Sequence, residues 1–194
     1  MQNTSKFHIG VYDSTDNHLT PLQTYLDRFQ ADQLNGWKSE LDSSSLMIEV
    51  DGIDYGVRWY TQGCIHLIAE QFEHIYKRLS EGEFSFFKQT LLFCPEDEYL
   101  LFEPKGKYVE ISNFTSKGFD HMFPIPTQYN GEPNRLEEFY NYIAQNRNKL
   151  IYPKTEIYKV PFPTNLLLEA LKREAKLGKE IYDLTNTPIT YSYY

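Results

Sequence analysis

Residues 6–12, KFHIGVY, alternate along the chain, with Phe7, Ile9 and Val11 on one side and His8, Gly10 and Tyr12 on the other. That two-residue period predicts a first strand, which DSTDN ends as a turn. Thr20 followed by Pro21, with Gln23 three residues on, has the form of a capping box with proline at the first helical position. Leu22, Tyr25, Leu26 and Phe29 then fall on one face of a short helix.

SLMIEV and IDYGVRWY flank Asp51-Gly52, the dipeptide a type I′ two-residue hairpin favours. With that loop Val50 faces Ile53, Ile48 faces Tyr55 and Leu46 faces Val57, so the apolar residues share one face. The other face opposes Glu49 to Asp54. Like charges across a ladder are mildly destabilising, so either a cation from elsewhere in the chain sits on them or the face is left acidic for a partner.

Residues 64–80, CIHLIAEQFEHIYKRLS, place Ile65, Ile68, Ala69, Phe72, Ile75, Tyr76 and Leu79 at helical spacing, and Gly82 follows as a stop. His66, Glu70, Glu73, His74 and Lys77 fall mostly off that stripe. FSFFKQTLLF, YLLFEP and KYVEISNF predict a three-stranded meander, separated by Pro95-Glu96-Asp97-Glu98 and by Pro104-Lys105-Gly106, with proline setting φ in both turns. Residues 115–133 are rich in glycine and proline and predict a long irregular loop. A helix on Leu136, Phe139 and Ile143, a short strand in TEIYKVPF and a helix in TNLLLEALKREAKLGKEIYDL complete the order. The expected class is α+β, with one mainly antiparallel sheet of hairpin plus meander and helices packed against it. One domain spans 1–194, with 131–194 a candidate sub-lobe.

Charge narrows the function. Twenty-seven acids against nineteen bases give a net charge of −8, and residues 1–130 alone carry −9. A phosphate-backbone binder needs clustered Lys and Arg, so nucleic acid is not an expected ligand, whereas a field of this sign steers a basic partner. Cys64 and Cys94 are too few for a disulfide scaffold. The start, MQNTSKFHIG, lacks a basic region followed by an apolar one, and no run approaches the roughly 18 apolar residues of a membrane span. A cytoplasmic protein without membrane contact is expected.

Candidate chemistry is sparse. The acids of CPEDEY lack the alternating oxygen spacing of a calcium loop and read as a wet turn or an acidic contact. Cys64 and His66 are two apart and do not face each other on a helix, and His66 with His74 has no third ligand at zinc spacing, so no metal is expected. Asp120 and His121, in the long loop, are the remaining candidate acid–base pair. GxGxxG, P-loop, GxSxG, HExxH and CxxC motifs do not occur, and no cofactor is expected.

SLMIEVDGIDYGVRWY, the helix after it and LLFCPEDEYLLFEPKGKYVEIS, over about residues 46 to 112, together resemble the immunity proteins of bacterial polymorphic and contact-dependent toxin systems. The resemblance implies a small protein that binds one toxin domain, often a nuclease with a basic surface, and blocks it. The expected contact surface comprises Glu49, Asp51, Asp54, Glu96, Asp97 and Glu98, with Tyr55 and Trp59 supplying aromatic area. The alternatives are a small enzyme with a dispersed site near the 115–133 loop and an adaptor subunit of a larger assembly. The acidic charge and missing motifs favour the binding protein over the enzyme.

Overall fold

The computed structural model describes residues 5–13, 18–30, 44–51, 53–54, 59–61, 65–89, 98–115, 140–141, 144–145 and 160–185. The chain runs β1 (Lys6–Asp13), β2 (His18–Pro21), α1 (Leu22–Gln30), β3 (Ser44–Val50), β4 (Ile53–Asp54), β5 (Trp59–Thr61) and α2 (Ile65–Ser80). It continues through β6 (Ser85–Gln89), β7 (Glu98–Lys105), β8 (Tyr108–Thr115), β9 (Val160–Pro163) and α3 (Thr164–Thr185). Residues 140–141 and 144–145 are also helical, within the helix expected after the long loop. Leu136, Phe139 and Ile143 lie outside the described residues.

The class is α+β, as the pattern predicts, but the strands form two antiparallel sheets and not one. The first has the order β2-β1-β3, with β4 and β5 both on the far side of β3, and the second has the order β6-β7-β8-β9. Short turns pair strands only within each group. The sixteen-residue α2 lies between the groups and carries the chain from one sheet to the other.

Tertiary pairing corrects three local expectations. HLTP is too short to show an alternation, yet it becomes β2 by pairing with the end of β1, from Asp13↔His18 to Gly10↔Pro21. Thr20 therefore belongs to a strand, and Gln23 donates to Asp27 Oδ1 one turn ahead (2.9 Å), so the capping box does not form. The hairpin register begins as expected, with Val50↔Ile53 and Glu49↔Asp54 and with Asp51 at φ 52°. Leu46, however, pairs with Trp59 and not with Val57, a two-residue shift between the β3–β4 and β3–β5 pairings. Residues 55–58 lie outside the described residues, and with them the expected facing of Ile48 and Tyr55.

The meander forms, and its second turn is made by glycine. Lys105↔Tyr108 closes a two-residue loop in which Gly106 has φ 68°, the position that a II′ turn reserves for glycine, while Pro104 stays in β7 opposite Val109. The first turn lies outside the described residues. Gly82 ends α2 as the left-handed residue of a Schellman cap: its N–H donates to Leu79 O (3.1 Å) and the Glu83 N–H to Arg78 O (2.9 Å), at φ 79°. The reversal turns the chain directly into β6.

One cluster of buried residues joins both sheets with α1, α2 and α3. Phe7 of β1 is fully buried at its centre, its ring 5.4 Å from Phe72 of α2, 6.2 Å from Phe102 of β7 and 6.1 Å from Phe162 of β9. Leu167, Leu171 and Ile181 of α3 belong to the same cluster, and Lys179 of α3 pairs with Glu73 of α2. No helix among the described residues is long and apolar enough to cross a membrane.

Two substitutions check this account. Phe7→Ala removes a ring shared by both sheets and is expected to lower unfolding stability by about 3–5 kcal/mol in denaturant titration. Gly82→Ala meets no steric obstacle, since nothing lies within 4 Å of the added Cβ, so it should cost only the left-handed backbone penalty, about 1 kcal/mol.

Candidate functional site

The expected acidic surface is partly visible. β3 and β4 bring Glu49 opposite Asp54, with Asp51 exposed at the turn between them. The like-charge opposition meets a cation from β1: Lys6 is in register with Glu49, and its Nζ lies 3.6 Å from Glu49 Oε1. Both partners are partly in water, so the pair contributes about 0–1 kcal/mol and leaves the tip acidic. Next to Asp51, Ile53 is 59% exposed, although the expected register places it on the apolar face. The hairpin therefore ends in a hydrophobic side chain beside a carboxylate.

Glu98 begins β7, in the second sheet, so it is carried by a different sheet from Glu49 and Asp54. The side chains of Asp54, Trp59 and Glu98 lie outside the described residues, as do Tyr55, Glu96 and Asp97 entirely. Cys64, Cys94, Asp120 and His121 lie outside them too, and so does the side chain of His66. Among the described residues no group of three or more His, Cys, Asp or Glu is placed to hold a metal ion.

The structure adds a polar cluster that periodicity alone does not reveal. Tyr140 is buried, and its hydroxyl lies 2.8 Å from Ser85 Oγ and 3.1 Å from His74 Nε2. The N–H of Phe86 also donates to that oxygen. The Arg78 guanidinium lies 3.7 Å from the centre of the Tyr140 ring, pairs with Glu83 at 2.7 Å and donates from Nε to the Phe84 carbonyl at 2.9 Å. Beside this cluster opens a cleft of about 450 Å³ whose walls include Arg78, Glu83, Phe84, Glu103, Lys105 and Tyr140.

His74 lies off the apolar stripe of α2, but the segment carrying Tyr140 covers it. Burial, with help from the Arg78 and Lys77 charges, lowers its pKa to about 4. Burial raises Tyr140 to about 12, against the opposing effects of Ser85, Arg78 and Phe86. At neutral pH the imidazole is thus uncharged and the phenol protonated. The network is satisfied when the Tyr140 hydroxyl donates to His74 Nε2 and accepts from Ser85 and from Phe86 N–H. General acid–base catalysis works best with a pKa near the operating pH, and both groups are moved away from it. Ser85 is fully buried. The cluster is therefore built to hold the helical segment on β6, and the cleft's charges are compensated locally by Arg78–Glu83 and by Lys105–Glu103 at 3.9 Å.

A signal for Tyr140 exists in the sequence, since it completes an i, i+3, i+4, i+7 pattern with Leu136, Phe139 and Ile143. Glu174 is a second buried polar residue that reasoning from motifs passes over. It lies on the apolar stripe of α3 between Leu171 and Ile181 and is only 2% exposed. Its Oε2 accepts from Ile9 N (3.0 Å) and its Oε1 from Arg173 Nε (2.8 Å). Burial pushes its carboxyl pKa up against those two partners.

Comparison with protein families, with curated proteins and with solved structures finds no match.

The depressed His74 pKa carries a pH signature. Between about 6.5 and about 4 the unfolded chain binds a proton at this position that the folded chain refuses, so its contribution to stability is complete above 6.5 and is lost as pH falls toward 4. Denaturant midpoints measured across that window should fall more steeply for the native chain than for His74→Gln, and the imidazole resonances should titrate near 4.

Proposed function

We propose that this protein is a binding inhibitor that neutralises a basic protein, and more specifically an immunity protein acting on a toxin domain. The observation that carries the reading is the tip of the β3–β4 hairpin, where exposed Ile53 stands beside exposed Asp51 on a chain of net charge −8. An exposed apolar anchor flanked by carboxylates suits a basic surface: the charges speed the encounter and orient it, and the apolar contact supplies affinity once water leaves. The resemblance of residues 46 to 112 to immunity proteins points the same way and adds the kind of partner, a toxin domain such as a nuclease.

A second reading is an enzyme acting at the cleft beside Tyr140, and it is favoured by one observation, a cavity with Tyr140, whose pKa is displaced, in its wall and His74, likewise displaced, hydrogen-bonded behind it. It ranks second because those displacements move both groups away from neutral pH. The 115–133 loop, the expected neighbour of such a site, lies outside the described residues from residue 116 onward.

The test is affinity purification of tagged protein from its native cells at low salt, followed by a high-salt wash and mass spectrometry. A basic protein released by salt is expected. Ile53→Ser should weaken its capture, and charge reversal at Glu49, Asp51, Asp54, Glu96, Asp97 and Glu98 should slow association by roughly tenfold or more. Capture unaffected by these changes would move the contact surface elsewhere, and hydrolysis or turnover abolished by Tyr140→Phe would favour the enzyme.

A further inference from the structure

Two strand edges, one in each sheet, are finished in the same way. In β1, Phe7 and Ile9 lie beyond the Gly10–Asp13 stretch that β2 pairs. There Arg173 Nη2 donates to the Phe7 carbonyl (3.0 Å), Glu174 Oε2 accepts from the Ile9 N–H (3.0 Å), and Arg173 Nε joins Glu174 Oε1 (2.8 Å). In the second sheet β6 is the terminal strand among the described residues. Arg78 Nε donates to the Phe84 carbonyl (2.9 Å), the Tyr140 oxygen accepts from the Phe86 N–H, and the guanidinium rests on the Tyr140 ring.

In each case the backbone groups engaged are the carbonyl of residue i and the amide of residue i+2. A single residue of an adjoining parallel strand would bond to that same pair. The donor is each time an arginine, and the acceptor is each time held by that arginine, once as an ion pair and once by cation–π contact. The other terminal strand of the second sheet needs no such device. The registers Glu110↔Pro161 and Tyr108↔Pro163 alternate with Val109↔Phe162, so a strand hydrogen-bonded through Val160 and Phe162 turns both prolines outward, where a donor would otherwise be free.

We infer that Arg173–Glu174 and Arg78–Tyr140 are edge caps, each standing in for one residue of an adjoining strand and keeping its sheet from adding a strand of a second copy of this chain. Arg173 is 55% exposed and Arg78 21%, whereas Glu174 and Tyr140 are buried, so each cap shields its backbone groups and a strand can reach them only once the cap is lost. Edges left open in this way are the usual route to strand-mediated association.

The experiment pairs amide hydrogen exchange with sedimentation velocity on the full chain. Glu174→Leu with Tyr140→Phe removes the acceptor oxygen of each cap and keeps most of the volume. The Ile9 and Phe86 amides should then exchange about tenfold to a hundredfold faster relative to those of β3 and β7. The double variant should also self-associate with rising concentration beyond the native chain. Glu174→Gln, which keeps an acceptor, should retain protection at Ile9, and Leu171→Ala, which weakens the core but touches neither cap, should add no association. If the double variant does not fold, Tyr140→Phe alone, read at Phe86 and by sedimentation, repeats the test on β6. Uniform acceleration across all strands, or selective acceleration without added association, would overturn the inference.

Discussion

The fold depends above all on Phe7, whose ring lies at the centre of the core where two sheets that, among the described residues, share no backbone hydrogen bonds are packed together. Its contacts with Phe72, Phe102 and Phe162 connect β1 to α2, β7 and β9 at centroid distances that suit tilted and edge-on aromatic packing. Phe72 extends the chain of rings to Phe87 of β6 at 5.6 Å. Each sheet is antiparallel and includes one pairing between strands distant in sequence, β1–β3 and β8–β9, and burial of these rings packs the two into one core.

Around that core, polar groups are handled by pairing and not by exclusion. Glu174 stays in an apolar stripe because the Ile9 amide and the Arg173 guanidinium replace the water it loses, and burial still raises its pKa against them. The Tyr140 hydroxyl, His74 and Ser85 satisfy one another in the same manner. The excess of acid lies elsewhere, at sites in contact with water such as the β3–β4 tip. Interior electrostatics thus hold helices to strand edges, while surface electrostatics remain available to a partner.

The hairpin tip and the Tyr140 cleft offer different chemistry. The tip combines an exposed apolar side chain with an exposed carboxylate at a two-residue turn, features of recognition. The cleft has charged walls, but they are matched internally, and Tyr140 in its wall and His74 bonded to Tyr140 are held uncharged at neutral pH. A binding role follows more directly from the first than a reaction does from the second.

Sequence alone determined what short-range physics controls: the alternation of β1, the Asp51-Gly52 turn with its opening register, the apolar stripe and glycine stop of α2, the meander, and the acidic charge. The β3–β4 tip was legible for the same reason, since a two-residue turn fixes which residues oppose each other, although the exposure of Ile53 was not. Tertiary structure decided the division into two sheets, the conversion of HLTP into a strand, the two-residue shift opposite Leu46 and the partial burial of His74. Each of these depends on which distant segment supplies a hydrogen bond or covers a face. The Arg173–Glu174 and Arg78–Tyr140 pairings show the limit most clearly: helical spacing placed Glu174 on an apolar stripe, but only the strand edge 165 residues away in sequence, at Ile9, explains why a carboxylate belongs there.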